Sequence, residues 1–381
     1  MIIINAEVHT VSGEKIDNGF IDIKNGKIDS VGGNYAPRPG DDVFDACGLR
    51  VYPGFIDGHC HLGMWEDGIG LEGADGNEDT DPLTPHLQAI DAVNPMDECF
   101  RDARSAGVTA IVVGPGSTNP IGGGMLAMKT SGVRADDMAL KNPAAIKMAF
   151  GENPKMTYHD KDQAPVTRMA IASLIREQLF KAKRYLEQME KADGDSESPE
   201  YDMKCESLIP LLKGEMEAHI HAHRADDIFS AMRIAKEFGF KYTIVHCTQG
   251  AEIAEELSKE SVKVLAGPLI CDRSKPELKC HSPALPAILN RHGVKTAIIT
   301  DHPELPVQYL ALSAGLAVRE GLPHDEAIKA ITLYPAEISG ISDRVGSIED
   351  GKDADLVFFN DDPLLLSSKP VRVMINGEWV L

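Results

Sequence analysis

The sequence predicts an α/β protein: a parallel sheet buried on both faces in the middle of the chain, and a small β-domain built from both ends. Three observations predict it. In the middle, amphipathic helices alternate with short apolar runs. In three of four such units a Gly stands where the helix must stop. β-type runs punctuated by turns occupy the first 35 or so residues and return only at the end.

Each element has its own reason. "VTAIVVG" follows a helical stretch over 96–106, and "KYTIVHC" follows "ADDIFSAMRIAKEFG". "VKVLAG" follows "AEIAEELSKES", and "VKTAIITD" follows "ALPAILNRHG". Apolar runs without alternation, each after a helix, describe strands covered on both faces. A closed eight-stranded barrel and an open doubly wound sheet both fit this rhythm. At the N-terminus, "MIIINAEVHTV" and "GFIDIKNGKIDSVGG" are β-type, with "KNGK" as a hairpin turn. "ADLVFFND" and "VRVMINGEWVL" pair with them across the chain, so the small domain is expected to be discontinuous: 1–50 plus 346–381, with 51–345 inserted. From about 168 to 212 a long helical pattern runs into "KADGDSESPEYD", read as a solvated loop.

Bulk properties narrow the partners. The 381 residues are 43% hydrophobic and 25% charged, with a formal net charge of −21. Such acidity argues against nucleic acid or an anionic membrane as partner; the expected partner is a small-molecule substrate. No apolar run approaches the roughly 20 residues of a membrane helix. "MIIINAEVHTVSG" lacks the basic start of a secretory signal. Seven scattered cysteines do not form a disulfide framework, and a cytoplasmic location is expected. A homo-oligomer is an open option.

Coordinating residues fall at the ends of the expected strands. "GFIDGHCHLG" presents His59 and His61 on one face. "EAHIHAH" aligns His219, His221 and His223, "KYTIVHC" ends in His246, and "KTAIITDHP" ends in Asp301. A lone buried His is usually a hydrogen-bonded core residue. Four separate strand ends each offering an N or O donor are better explained by a bound cation, because unpaired buried donors are costly.

These motifs resemble the amidohydrolase superfamily. "GFIDGHCH", "HIHAH", "VHC", "ITDHP" and the tail "AITLYPAEISGISDRVGSIEDGKDADLVFF" carry the resemblance, which is nearest the imidazolonepropionase-related, Xaa-Arg-dipeptidase-like branch. It implies a (β/α)8 TIM-like barrel flanked by a β-sandwich made from both termini. It also implies one or two divalent ions, zinc above all, held by His59, His61, His221, His246 and Asp301. Either Glu152 or a carbamylated Lys147 would bridge two ions, or neither in a one-metal site; Glu152 is preferred. Metal-activated water would hydrolyse a C–N bond, with Asp301 as general base and acid and His246 supporting the oxyanion. A deaminase on the same barrel, or a barrel that has lost its chemistry, are the alternatives.

Other residues are assigned by position. His223, Arg224 and His302 adjoin the ligands and are expected to touch substrate. "GPGSTNPIGGG" forms a Gly-rich strand exit, and a polar loop carries Lys155, Tyr158, His159 and Arg168. His219, deeper on its strand, reads as a core residue. Cys60 and Cys247 should point away from the mouth. "CDRSKPELKCH", with Cys271, Cys280 and His281, lacks a paired C-x-x-C and reads as structural.

Overall fold

A computed structural model describes residues 1–68, 70–192 and 198–381. Residues 193–197, within the expected solvated loop, lie outside the described residues. The N-terminal strands are β1 (Ile2–Val8), β2 (Ile16–Lys24), β3 (Lys27–Gly33), β4 (Val43–Asp45) and β5 (Arg50–Pro53). The β2–β3 hairpin turns at Asn25 and Gly26, with φ of 52° and 77°, the left-handed pair that a tight hairpin requires.

The central strands are β6 (Phe55–Cys60), β7 (Val108–Val113), β8 (Ile121–Lys129) and β9 (Ala139–Ala149). They continue as β10 (Glu217–Ala222), β11 (Tyr242–His246), β12 (Lys263–Ala266) and β13 (Thr296–Ile298). They form one eight-stranded sheet in sequence order, curled into a nearly closed barrel. The seam between β13 and β6 is bridged by Asp57, which accepts from the Thr300 backbone N–H at 3.2 Å and from the Thr300 hydroxyl. Above it, the His61 N–H donates to the His302 carbonyl at 2.9 Å.

One strand departs from the expected parallel arrangement. β8 runs antiparallel to both β7 and β9. Only residues 114–120 separate it from β7, whereas a parallel crossover needs a dozen or more residues. The Gly-rich exit of β7 therefore turns back at the barrel mouth.

The C-terminal strands β14 (Leu356–Phe359), β15 (Arg372–Ile375) and β16 (Glu378–Trp379) join the N-terminal ones in the order β16-β15-β14-β5-β1-β2-β3, with β4 on β1. β5 belongs to this sheet, so residue 50 falls inside one of its strands. The sheet packs on the barrel through Tyr52, Phe55 and Phe359. Ring centroids lie 5.9 Å apart for Phe55–Phe359 and 6.2 Å for Tyr52–Phe359. Burying each such ring is worth about 1.5–3 kcal/mol. Lys129 is buried nearby, paired with Asp355 and, at 3.1 Å, with Asp353.

The long helical pattern resolves into a helix over Arg168–Lys191, opened by the Thr167 hydroxyl accepting from Ala170 N–H at 3.0 Å, and two short turns before β10. The helix Ala225–Phe238 stops at Gly239, whose φ of 76° is the left-handed C-cap anticipated from the sequence. Among the described residues no helix is long and apolar enough to cross a membrane.

Candidate metal centre

The strand ends deliver two donor sets to one mouth. His59 and His61 of the β6 end meet Asp301 beyond β13, and His221, His223 and His246 meet between β10 and β11. In each set the donor atoms lie within 4.8 Å of one another. His61 Nε2 is 3.3 Å and His59 Nε2 3.8 Å from Asp301 Oδ1. Both sets face a cleft of about 850 Å³ that also receives Trp65, Ser117, Glu152 and Lys275.

Hydrogen bonds on the far side of the rings decide what the near side can do. His61 Nδ1–H donates to the Gly114 carbonyl at 2.6 Å, and His246 Nδ1–H to the Gly267 carbonyl at 2.7 Å. A carbonyl only accepts, so in the neutral rings Nε2 carries the lone pair. His221 Nδ1 lies 2.9 Å from Ser117 Oγ and His223 Nδ1 2.7 Å from Thr248 Oγ1. Such outer contacts orient metal-binding imidazoles.

Electrostatics point the same way. Burial holds His59, His221 and His223 well below the usual histidine range, with neighbouring positive charge adding to it, so their rings are neutral. Burial pushes the Asp301 carboxyl up, but His246, His61 and Lys147 outweigh it and hold it well below the usual range. His246 and Asp301 also sit at φ of 69° and 55°, left-handed values that non-glycine residues adopt at a cost and that gather at functional sites.

A divalent cation fits these residues. His59 Nδ1, His221 Nε2 and Asp301 Oδ1 are buried with no hydrogen-bond partner among the described residues, while Glu277 Oε1 has the Lys275 ammonium 2.9 Å away. Buried lone pairs converging without a proton between them need a positive centre, and nitrogen with carboxylate oxygen suits a zinc-like ion.

The sequence profile of the amidohydrolase family matches residues 188–380. The chain belongs to the amidohydrolase family. An amidohydrolase from Thermotoga maritima MSB8, solved by crystallography, superposes with a TM-score of 0.96 at 40% identity, covering 100% of this chain and 99% of that one. Amidohydrolase tasK of Hapsidospora irregularis is 29% identical over 364 residues, 88% of this chain. This chain spans 37% of that protein's length. Imidazolonepropionase of Sphingopyxis alaskensis is 24% identical over 386 residues, 93% of this chain and 90% of that protein.

In this amidohydrolase the structure brings together His59, His61, His221, His223, His246 and Asp301, and it rearranges four other expectations. Glu152, preferred as the bridging ligand, is in neither donor set. β9 ends at Ala149, and Gly151, at φ 91°, turns the chain into a helix that starts at Glu152. There the Glu152 carboxylate accepts from Glu277 N–H at 3.4 Å. Lys147 is the residue that reaches the site: fully buried on β9, its Nζ lies 2.8 Å from His59 Nε2. Burial lowers its ammonium pKa to about 8, against the pull of Asp301.

Arg224 lies outside the cleft, exposed and forked onto Asp226 at 2.8 and 2.9 Å. His302 is buried behind the mouth, where its Nδ1 accepts from Val307 N–H at 3.3 Å. His246, expected also to support the oxyanion, has its only neutral-ring proton on Gly267, so it fits a cation and cannot donate to an oxyanion.

Of the polar loop, Arg168 pairs with Asp227 at 2.9 Å and Tyr158 donates to Asn119 at 2.6 Å. Cys60 and Cys247 pack in apolar clusters. His219 is a core residue as expected, yet neither ring nitrogen has a hydrogen-bond partner among the described residues.

Sequence reasoning missed Glu277, Ser117 and Thr248. Lys147 left a usable signal: it is the lone charge inside "AAIKMAF", whose other residues are apolar. Glu277 left none, because its loop has no period.

Proposed function

We propose that this amidohydrolase uses a divalent ion, zinc by preference, to hydrolyse a C–N bond in an amide, cyclic amide or dipeptide. The observation that carries the reading is the meeting of His59, His61 and Asp301 with His221, His223 and His246 at one mouth, all but His59 lining the cleft. His59, His61 and Asp301 would hold one ion, and His221 with His246 a second. Bound there, the ion supplies an acidified water and a positive charge for the developing oxyanion.

The chain's own residues do the rest. Asp301, ionised in its surroundings, accepts the proton of the attacking water and returns it to the leaving nitrogen. A C–O bond forms, the C–N bond breaks, and a carboxylic acid and an amine leave. Lys147, as its carbamate, would be a further anionic ligand beside His59. Its uncharged amine adds to carbon dioxide, an N–C bond forms, and one proton is released. The His223 ring, at the cleft, meets substrate or cation.

Metal analysis followed by amine and ammonia release over N-acyl amino acids, dipeptides, hydantoins and nucleobases tests the reading. Amine from amide or dipeptide substrates is the expected result. Protein without metal that stays inert after zinc or manganese is restored would be a barrel that has lost its chemistry. Ammonia from ring substrates alone would make it a deaminase.

A further inference from the structure

We infer that Glu277 and His223 complete a second cation position with His221 and His246, making a donor set of three imidazoles and one carboxylate. The inference rests on the metal-dependent reading above, and it goes beyond the two imidazoles that the family resemblance supplies at this position.

Glu277 arrives from the loop after β12, on a short turn over Pro276–Leu278. Its side chain is buried and its two oxygens have different surroundings. Oε2 accepts from the Glu152 N–H at 3.1 Å, which anchors the carboxylate. Oε1 is thereby aimed at the imidazoles, 3.6 Å from His223 Nε2 and 3.9 Å from His221 Nε2. Those distances are too long for hydrogen bonds. Two donors about 2.1 Å from one ion would stand roughly 3–4 Å apart, which matches Glu277 against His221 and His223, although Glu277 is not in the 4.8 Å set that these two share with His246.

The protons are accounted for as well. Ser117 and Thr248 hydroxyls can accept from the Nδ1–H of His221 and His223, as the Gly267 carbonyl does from His246. All three Nε2 atoms then present lone pairs. A carboxylate oxygen facing two lone pairs is repelled unless a positive centre stands among them. Lys275, 2.9 Å from Oε1, supplies part of that charge from the cleft side. Its ammonium is also 2.6 Å from Asn153 Oδ1, so it has a place of its own when an ion takes up Oε1.

Gly151 protects this arrangement. A Cβ there would stand 2.9 Å from Asp227 Oδ2 and 3.1 Å from Glu277 Oε2, and its φ is 91°. The chain keeps the one residue that lets the Glu277 carboxylate lie against the end of β9.

The test is zinc stoichiometry and competition with a chelator on the full chain, in wild type, Glu277→Gln and Lys275→Met. Two zinc ions per chain are expected in wild type. In Glu277→Gln the second should bind roughly 10- to 100-fold more weakly while the first is unchanged. Lys275→Met removes a competitor for Oε1, so its second ion should bind at least as tightly as in wild type. Two ions at wild-type affinity in Glu277→Gln, a single ion in wild type, or loss of the second ion in Lys275→Met would each overturn the inference. Should Glu277→Gln fail to fold, the Lys275→Met affinity decides alone. Wild type that binds no zinc at all would instead remove the metal-dependent reading on which the inference stands.

Discussion

Lys147 and His59 meet inside the barrel, Nζ 2.8 Å from Nε2, with neither side chain exposed to solvent. A buried ammonium beside a neutral imidazole is an expensive arrangement, which the nearby Asp301 carboxylate offsets only in part. It becomes reasonable when the lysine is a precursor of an anionic ligand.

Lys147→Met should therefore lose about 100-fold or more in kcat/KM and shed the ion beside His59, with far-ultraviolet circular dichroism unchanged. Carbon-13 resonance of protein equilibrated with labelled bicarbonate should show a carbamate signal in wild type and none in the variant. A fully active Lys147→Met protein would exclude the lysine as a ligand.

Asp301→Asn removes the proton acceptor while keeping the side chain's shape. A fall in kcat of about 10²- to 10⁴-fold is expected from the loss of general base and acid. The KM should change far less. A variant with unaltered kcat would show that Asp301 only ligates.

Gly151→Ala places a methyl against Asp227 and Glu277 at a left-handed backbone position. A loss of about 1–3 kcal/mol follows from the forced conformation. Thermal unfolding should show it. Unchanged stability would mean that the end of β9 yields more easily than its packing implies.

Lys129→Met at the barrel–sheet junction should cost about 3 kcal/mol, because Asp355 would be left buried without its partner. Burial already raises the Asp355 carboxyl pKa in the folded protein, with Lys129 opposing. A group with a raised folded pKa binds its proton more readily folded than unfolded, so its contribution to stability grows as pH falls. Burial also pushes Asp353 up, but Lys129, Lys27 and Arg344 outweigh it and hold it lowered. That part of the stability is present above the unfolded carboxylate range and lost as pH falls. Without Lys129 the Asp355 effect dominates. The gap in melting temperature between variant and wild type should be wider at pH 8 than at pH 5, and an equal gap at both would exclude this account.

Much of the barrel and the gathering of its candidate donor histidines was legible in the chain. Helix–strand alternation, Gly239 as a helix stop and the period-two histidines of β10 are local signals, and each held in the structure. The reversal of β8 was less visible, because direction within a sheet depends on which neighbours a strand finds. The exchange of Glu152 for Lys147 has the same origin. Both lie near the end of β9, and only the turn at Gly151 determines that one points into the barrel and the other across to a distant loop.

By itself the sequence determined the element types and the two-ended small sheet, since backbone period and side-chain chemistry are local properties, and the family resemblance of its motifs singled out His59, His61, His221, His246 and Asp301 as candidate donors. Only the tertiary structure decided that Lys147 is the buried neighbour of His59 and that Glu277 closes on His223. Those outcomes depend on contacts between segments as much as 125 residues apart, as Glu152 and Glu277 are. A contact at that range exists only once the barrel has curled shut and a carboxylate's burial has been offset by what it faces.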